Sequence, residues 1–311
     1  MRYCIGIDLG GTSVKYGIFE ISGQLVDKWQ IPTDTSESGR YILPEIANQL
    51  KRRIEQLKLD RTEIGGLGIG VPGLVTGNGQ VSLAVNLGWT GVPVSQELSS
   101  LTGLPVKVTN DANAAALGEM WQGSGRGFRN LVMITLGTGI GGGVIIEEQV
   151  VQGLYGAAGE IGHIPVVYDE TEVCGCGRYG CLEQVASATG IVRTARRLLS
   201  EPQQESSILA GNQNISAHAV IEAAKAGDKL ALNVMERAGK FLGAAMASIT
   251  GVLDPEIYII GGGVSKAGQF LLELIRRHYK EQVLALCRNT EIRLAELGND
   301  AGIYGAARLV L

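Results

Sequence analysis

Apolar positions along this chain fall into two alternating rhythms, which lay out a succession of strands and helices. Residues 3–9 (YCIGIDL) are almost continuously apolar and run straight into Gly10-Gly11-Thr12. A second apolar run begins at Val14, Ser22-Gly23 marks a turn, and residues 24–31 form a third run, so the chain is predicted to open as an antiparallel meander. Between residues 41 and 57 the period changes. Ile42, Ile46, Leu50, Ile54 and Leu57 recur close to every 3.6 residues, with Lys51, Arg52, Arg53 and Glu55 on the other face, the pattern of an amphipathic helix. Residues 64–71 return as a strand stopped by Pro72-Gly73. A helix is predicted over 94–102, a short strand over 106–109 ending at Asn110-Asp111, and an alanine-rich helix over 112–121.

Residues 131–151 repeat the opening. Laying Asp8-Leu9-Gly10-Gly11-Thr12 on Thr135-Leu136-Gly137-Thr138-Gly139 places Gly17-Ile18-Phe19-Glu20 over Val144-Ile145-Ile146-Glu147 at a constant offset of 127. A strand, a glycine-rich tip and a strand thus occur twice, which reads as an internal duplication with the two tips facing across a cleft. Chance likeness between two glycine-rich hairpins is the alternative. Beyond it, helices are predicted over 187–199, 216–226 and 229–253, with 202–214 the most loop-like polar segment. A strand over 256–260 feeds Gly261-Gly262-Gly263; a helix (270–281), a strand (291–294) and a last helix within 298–311 follow.

The chain's 311 residues suffice for two domains of ordinary size. Lys+Arg 27 against Asp+Glu 31 gives a formal net charge of -4 and no basic footprint for nucleic acid. The 45 glycines are the outlying number, since usage near 7% is ordinary and this is roughly twice that. Gathered in pairs and triplets, they point to backbone brought close to ligands. The N-terminus MRYCIGIDLGG lacks a basic stretch followed by a long apolar run, and no window approaches eighteen apolar residues. A cytoplasmic protein without a membrane span is expected.

Four residues form a candidate metal set: His163, Cys174, Cys176 and Cys181, spaced His-x10-Cys-x-Cys-x4-Cys with glycines between the thiols. Three cysteines and a histidine suit a tetrahedral zinc ion, and four protein donors leave no open position, as in a structural site. Disulfides or unrelated buried thiols are the competing reading, disfavoured in a reducing compartment. Cys4 and Cys287 are expected to be core thiols. Glu160 and Glu183 flank the cluster as candidate walls of a polar pocket. At the first tip, Asp8, Gly10, Gly11, Thr12 and Lys15 combine a carboxylate, exposed N–H groups, a hydroxyl and a cation, an inventory for a phosphate and its magnesium. Lys15 stays unassigned, and Asp111, between a strand end and a helix start, fits either a reactive carboxylate or a helix N-cap.

Together Asp-Leu-Gly-Gly-Thr at 8–12, Gly-x-Pro-Gly at 70–73, Asn110-Asp111-Ala-Asn113, Leu-Gly-Thr-Gly-Ile-Gly-Gly-Gly at 136–143, Glu160-x-x-His163 and Cys-Gly-Cys-Gly-x-x-Gly-Cys-Leu-Glu at 174–183 resemble the ROK family of sugar kinases and regulators. Asn86-Leu87-Gly88-Trp89 is similar to its glucokinase branch. The resemblance implies an α/β, actin-like ATPase (hexokinase/RNase H-like) duplicated two-domain fold with a zinc-binding loop. One domain would comprise 1–120 plus 298–311, the other 121–297 with the zinc loop at 163–181. It implies Asp111 as catalytic base and Asn86, Asn110, Glu160, His163 and Glu183 as ligands of sugar hydroxyls. His163 would bind zinc through one nitrogen and offer the other to the sugar. Asp8, Gly10, Gly11 and Thr12, with Gly137, Thr138 and Gly139, would be the phosphate loops for ATP and Mg2+, and Gly261 and Gly262 the adenosine side. The implied reaction is phosphorylation of glucose at its 6-hydroxyl, and a homodimer is the family expectation. N-acetylglucosamine, N-acetylmannosamine, mannose or fructose as substrate, a sugar-sensing regulator without turnover, and an actin-like ATPase that binds proteins are the alternatives.

Overall fold

The computed structural model describes residues 1–201 and 207–311, so the first part of the polar segment expected at 202–214 lies outside the described residues. The chain opens with β1 (Tyr3–Leu9), β2 (Ser13–Glu20) and β3 (Leu25–Pro32), followed by α1 (Ile42–Gln56), β4 (Ile64–Val71), the short β5 (Leu74–Val75), β6 (Val81–Ala84) and β7 (Trp89–Val92), α2 (Val94–Thr102), β8 (Val106–Asn110) and α3 (Asp111–Gln122). The first sheet has the order β3-β2-β1-β4-β8, while β5, β6 and β7 form a small sheet of their own. β1, β2 and β3 are the predicted antiparallel meander. β4 and β8 join it in parallel. β1 and β4 read as nearly unbroken apolar runs because both faces of this part of the sheet are covered. Ile42, Ile46, Leu50 and Ile54 of α1 are buried in one cluster with Ile5, Ile7, Leu67 and Ile69, which accounts for the 3.6-residue period.

The second half contributes β9 (Leu131–Leu136), β10 (Ile140–Ile146), β11 (Gln149–Val150), α4 (Ala188–Leu199), α5 (Ala217–Lys225), α6 (Lys229–Leu253), β12 (Ile257–Gly261), α7 (Gln269–Gln282), β13 (Glu291–Leu294) and α8 (Ala301–Arg308). Its sheet order, β11-β10-β9-β12-β13, reproduces the succession of the first: a meander of three strands, then two later ones. The sequence repeat is therefore a repeat of architecture. Three buried hydroxyls tie α6, β12 and α7 together, with Thr250 Oγ1 2.8 Å from the Tyr258 hydroxyl and 3.0 Å from that of Tyr279.

The chain divides into two compact units, Met1–Leu131 with Gly143–Gly159 and Glu296–Leu311, and Val132–Gly142 with Glu160–Ala295. The C-terminal α8 belongs to the first and packs on α3 through glycines: any side chain on Gly305 would strike the backbone of Ala114, and one on Gly118 that of Ala301. Cys4 is wholly buried as expected. Cys287 is not a core thiol; it is half-buried in a short turn after α7, its Sγ 3.5 Å from Asp254 Oδ1. Among the described residues no helix is long and apolar enough to cross a membrane.

Candidate active site

In the first unit, β1, β4 and β8 run in parallel with Asp8 opposite Gly70, Gly70 opposite Thr109 and Val71 opposite Asn110. Asp8, Asn110 and Asp111 therefore emerge at the same edge, the carboxyl ends of parallel strands, where α/β sheets bind ligands. Asn110, with extended backbone (φ -66, ψ 151), is the N-cap of α3, its Oδ1 accepting from the N–H groups of Ala112 at 2.8 Å and Asn113 at 3.4 Å. Its Nδ2 donates to the Gly73 carbonyl at 3.0 Å, which leaves one amide hydrogen for a ligand. The N-cap alternative for Asp111 is thereby excluded: Asp111 is the first helical residue, exposed, with Oδ1 2.9 Å from the Ala112 nitrogen. Lys15, unassigned from the sequence, places Nζ 3.1 Å from Asp8 Oδ2 and donates to the Asn299 carbonyl at 3.0 Å. Gly10 closes the tip by donating to the Ser13 carbonyl at 2.9 Å, and Gly11 and Thr12 are exposed. Asn86, also exposed, backs onto this tip, since a Cβ on Gly11 would lie 3.4 Å from the Asn86 Cβ.

In the second unit the four expected metal ligands converge. The ligand atoms of His163, Cys174, Cys176 and Cys181 all lie within 4.8 Å of one another. Cys176 and Cys181 sulfurs are 3.6 Å apart, and Cys174 Sγ is 3.8 Å from His163 Nδ1. Thiolates about 2.3 Å from a tetrahedral zinc ion would be about 3.8 Å apart, so the set fits that geometry. Bridges between Pro165 and Cys181 and between Val173 and Tyr179 fold the loop back on itself, and Gly177 and Gly180 turn with φ 82 and 72. Burial pushes the Cys174 thiol well up. Burial also opposes the Cys176 thiolate, but hydrogen bonds from Arg178 and the neighbouring thiols outweigh it and bring that group down to about 6. The far nitrogen of His163, Nε2, lies 3.7 Å from Glu160 Oε2, and Glu183 Oε1 is 3.0 Å from Cys174 Sγ. Both carboxylates are thus held against the cluster.

The second glycine tip joins this group. Gly137 donates to the Gly139 carbonyl at 3.0 Å, the Gly137 carbonyl accepts from Ala188 at the start of α4, and a Cβ on Gly139 would come within 2.6 Å of Glu183 Oε2. A cavity of about 380 Å³ opens here between Thr138, Gly139, Cys174, Glu183 and the first turn of α4. The third cluster follows β12. Gly262 takes φ 84, and a Cβ there would strike the Leu136 backbone, so this position needs glycine both for its backbone angle and for space. Beside Gly263 lies a second cavity of about 470 Å³, lined by Ile221, Val264, His218, Glu222 and Lys266. Those three polar residues were missed in the sequence, where α5, which carries His218 and Glu222, shows only an ordinary amphipathic pattern and Lys266 merely follows the third glycine cluster.

Two copies of one sheet order, each with a glycine tip between its first two strands, define the actin-like ATPase class of fold. The chain belongs to the ROK family, whose model matches residues 4–311. It is 42% identical to a glucokinase of Halalkalibacterium halodurans over 99% of this chain and 95% of that protein. It is 34% identical to a ROK family glucokinase of Streptomyces griseus solved with glucose and AMPPNP, covering 99% of this chain and 98% of that one with a TM-score of 0.77. A ROK hexokinase of Thermus thermophilus superposes with a TM-score of 0.83 at 31% identity, covering 98% and 96% of the two chains.

Proposed function

We propose that this ATP-dependent sugar kinase transfers the γ-phosphoryl group of ATP to the 6-hydroxyl of glucose, with Asp111 as general base. The observation that carries the reading is the common edge of Asp8 and Asp111 at the ends of parallel strands, with Asn110 doing the capping that would otherwise claim Asp111. Likeness to a glucokinase solved with glucose and AMPPNP supports the same substrates.

Phosphoryl transfer asks the protein for positioning and charge more than for covalent chemistry. Asp111 accepts the proton of the sugar O6 as an oxygen electron pair forms the bond to phosphorus. The bond from that phosphorus to the bridging oxygen breaks, and ADP leaves with the pair. Glu160, Glu183, His163 Nε2, Asn86 and the remaining Asn110 amide hydrogen bind and orient the hydroxyls. Gly11, Thr12, Thr138 and Gly139 present backbone N–H groups and hydroxyls to the phosphates, while Gly10 and Gly137, whose own N–H groups close the two tips, shape those loops. The cavity beside Gly263, at the end of the Gly261-Gly262-Gly263 turn, receives adenosine, its apolar side formed by Ile221 and Val264. Mg2+ supplies offsetting charge on the phosphates when bound; Asp8 would hold it, with Oδ2 engaged by Lys15 and Oδ1 left for the ion. Zn2+ would be held by His163, Cys174, Cys176 and Cys181 and would be structural, because four protein donors leave no position for water. We place the enzyme in the cytoplasm as a homodimer, the latter checked by light scattering.

A coupled assay of ADP release over glucose, mannose, fructose, N-acetylglucosamine and N-acetylmannosamine tests the reading. The expected result is the highest kcat/KM with glucose and phosphate found on O6. Preference for an N-acetylated sugar overturns the substrate, and no turnover with any hexose overturns the reaction.

A further inference from the structure

Glu119, in the last turns of α3, is wholly buried, and its side chain is surrounded by donors. Oε1 accepts from the Leu297 N–H at 2.8 Å. Oε2 accepts from the N–H groups of Ser124 at 2.9 Å and Glu296 at 3.1 Å and from the Ser124 hydroxyl at 3.2 Å. A carboxylate, which has acceptor sites on both oxygens, suits four converging donors; an amide of the same shape does not. Ser124 belongs to the turn that ends α3, whereas Glu296 and Leu297 begin the segment that leads into α8. Glu119 therefore clamps that segment to the helix whose other end carries Asp111.

The clamped segment continues to the first tip. Asp300 donates back to the Leu297 carbonyl at 3.1 Å and pairs with Lys28 at 2.6 Å, and between them the Asn299 carbonyl accepts from Lys15 Nζ, which also holds Asp8 Oδ2. α8 then starts against Asp8 itself: a Cβ on Gly302 would lie 2.7 Å from the Asp8 Cγ. Both restraints on the Asp8 carboxylate, the Lys15 ammonium and the first turn of α8, are thus attached to the segment that Glu119 holds.

We propose that Glu119 is a positioning residue for Asp8, fixing its carboxylate through the 296–300 segment for the bound Mg2+–nucleotide. The inference rests on the assignment of Asp8 to that ion. Misplacement by about 1 Å of a group that orients a reactant can lower turnover by roughly 10²-fold. The effect should fall mainly on the nucleotide, since Glu160, His163 and Glu183 belong to the second unit and Asn110 bonds to Gly73, Ala112 and Asn113 rather than to the 296–300 segment.

The test is calorimetric titration of the full-length chain with MgADP and, separately, with glucose. Glu119→Gln turns an N–H group toward donors. It is expected to weaken MgADP binding about tenfold and raise the Mg2+ concentration for half-maximal activity, with glucose affinity within about twofold of wild type. Ser124→Ala, which removes one of the four donors, should shift MgADP affinity in the same direction by less. Ile54→Val trims a buried residue near the end of α1, away from the segment and from α8, and should lower thermal stability while leaving MgADP affinity at the wild-type value. The proposal is overturned if Glu119→Gln binds MgADP normally, or if Ile54→Val loses nucleotide affinity in the same proportion to its loss of stability. Should Glu119→Gln fail to fold, Ser124→Ala against Ile54→Val decides by the same comparison. A wild-type chain that binds no MgADP rejects the kinase reading itself, whereas an active wild type with an indifferent Glu119→Gln rejects only the role of Glu119.

Discussion

His163 turns Nδ1 to the Cys174 sulfur at 3.8 Å and Nε2 to Glu160 at 3.7 Å, so a single imidazole ring links the thiol cluster to a carboxylate assigned to the sugar. A ring held at one nitrogen has its other nitrogen fixed in direction and tautomer. Replacing Cys181 by Ser should therefore lower the zinc content below the one ion per chain proposed for wild type and reduce glucose affinity by about 10- to 100-fold, the usual cost of disturbing the support of a metal site. Elemental analysis and a glucose titration on the same sample measure both. Full glucose affinity in a demonstrably zinc-free chain would break the link.

Asp111 projects from the start of α3 while Asn110 satisfies the helix end, so exchanging the acid for its amide leaves the capping bonds in place. Asp111→Asn should keep glucose affinity nearly intact and lower kcat by about 10²–10⁴, the usual contribution of a general base. Near-normal turnover in this variant would remove Asp111 from the role.

Sequence periodicity carried much of this fold, because the signals involved are local. α1 shows its buried face every 3.6 residues, β1 and β4 are apolar throughout, and the glycine tips announce the turns that separate paired strands. The cluster of His163 with three cysteines was legible for a similar reason: three of its four side chains lie within one short loop. Contacts closed by distant parts of the chain were not. Lys15 looks like a solvated lysine until residue 299, 284 positions away, brings a carbonyl to it. Glu119 reads as one more polar residue in an alanine-rich helix until the segment before α8 delivers two N–H groups. His218 and Glu222 were hidden in the same way, since a helix pattern tells which face is polar but not that a cavity opens beside it.

Helix α3 lies so close to α8 that Gly305 has the Ala114 backbone where a side chain would stand. Gly305→Ala must push the helices apart and should destabilise the protein by ~3 kcal/mol, the upper range for overpacking. Gly251, within α6, is helical and has open space within 4 Å of where a methyl group would stand, so Gly251→Ala should be neutral or stabilise by up to about 1 kcal/mol. Thermal denaturation of the two variants beside wild type checks the contrast. Equal effects would mean that the crossing yields more easily than its geometry indicates.

Asp228 caps the 25-residue α6, with Oδ1 accepting from the Ala231 N–H at 2.9 Å and Oδ2 from the Ile208 N–H at 2.8 Å. Burial works to raise its pKa, but these backbone hydrogen bonds, joined by Ser207 and Leu230, prevail and hold it below the ordinary value of 3.8. A carboxyl depressed on folding binds protons more readily in the unfolded chain, so its stabilisation is complete above the unfolded pKa and is lost as pH falls through the folded one. Asp228→Asn keeps a capping oxygen but cannot titrate. Above about pH 5 it should be less stable than wild type by ~1 kcal/mol or less, and that gap should close below about pH 4 as Asp228 itself becomes neutral. Urea denaturation at a series of pH values measures the gap, and a difference that stays constant down to about pH 3 would show that the charge on Asp228 contributes nothing to holding α6.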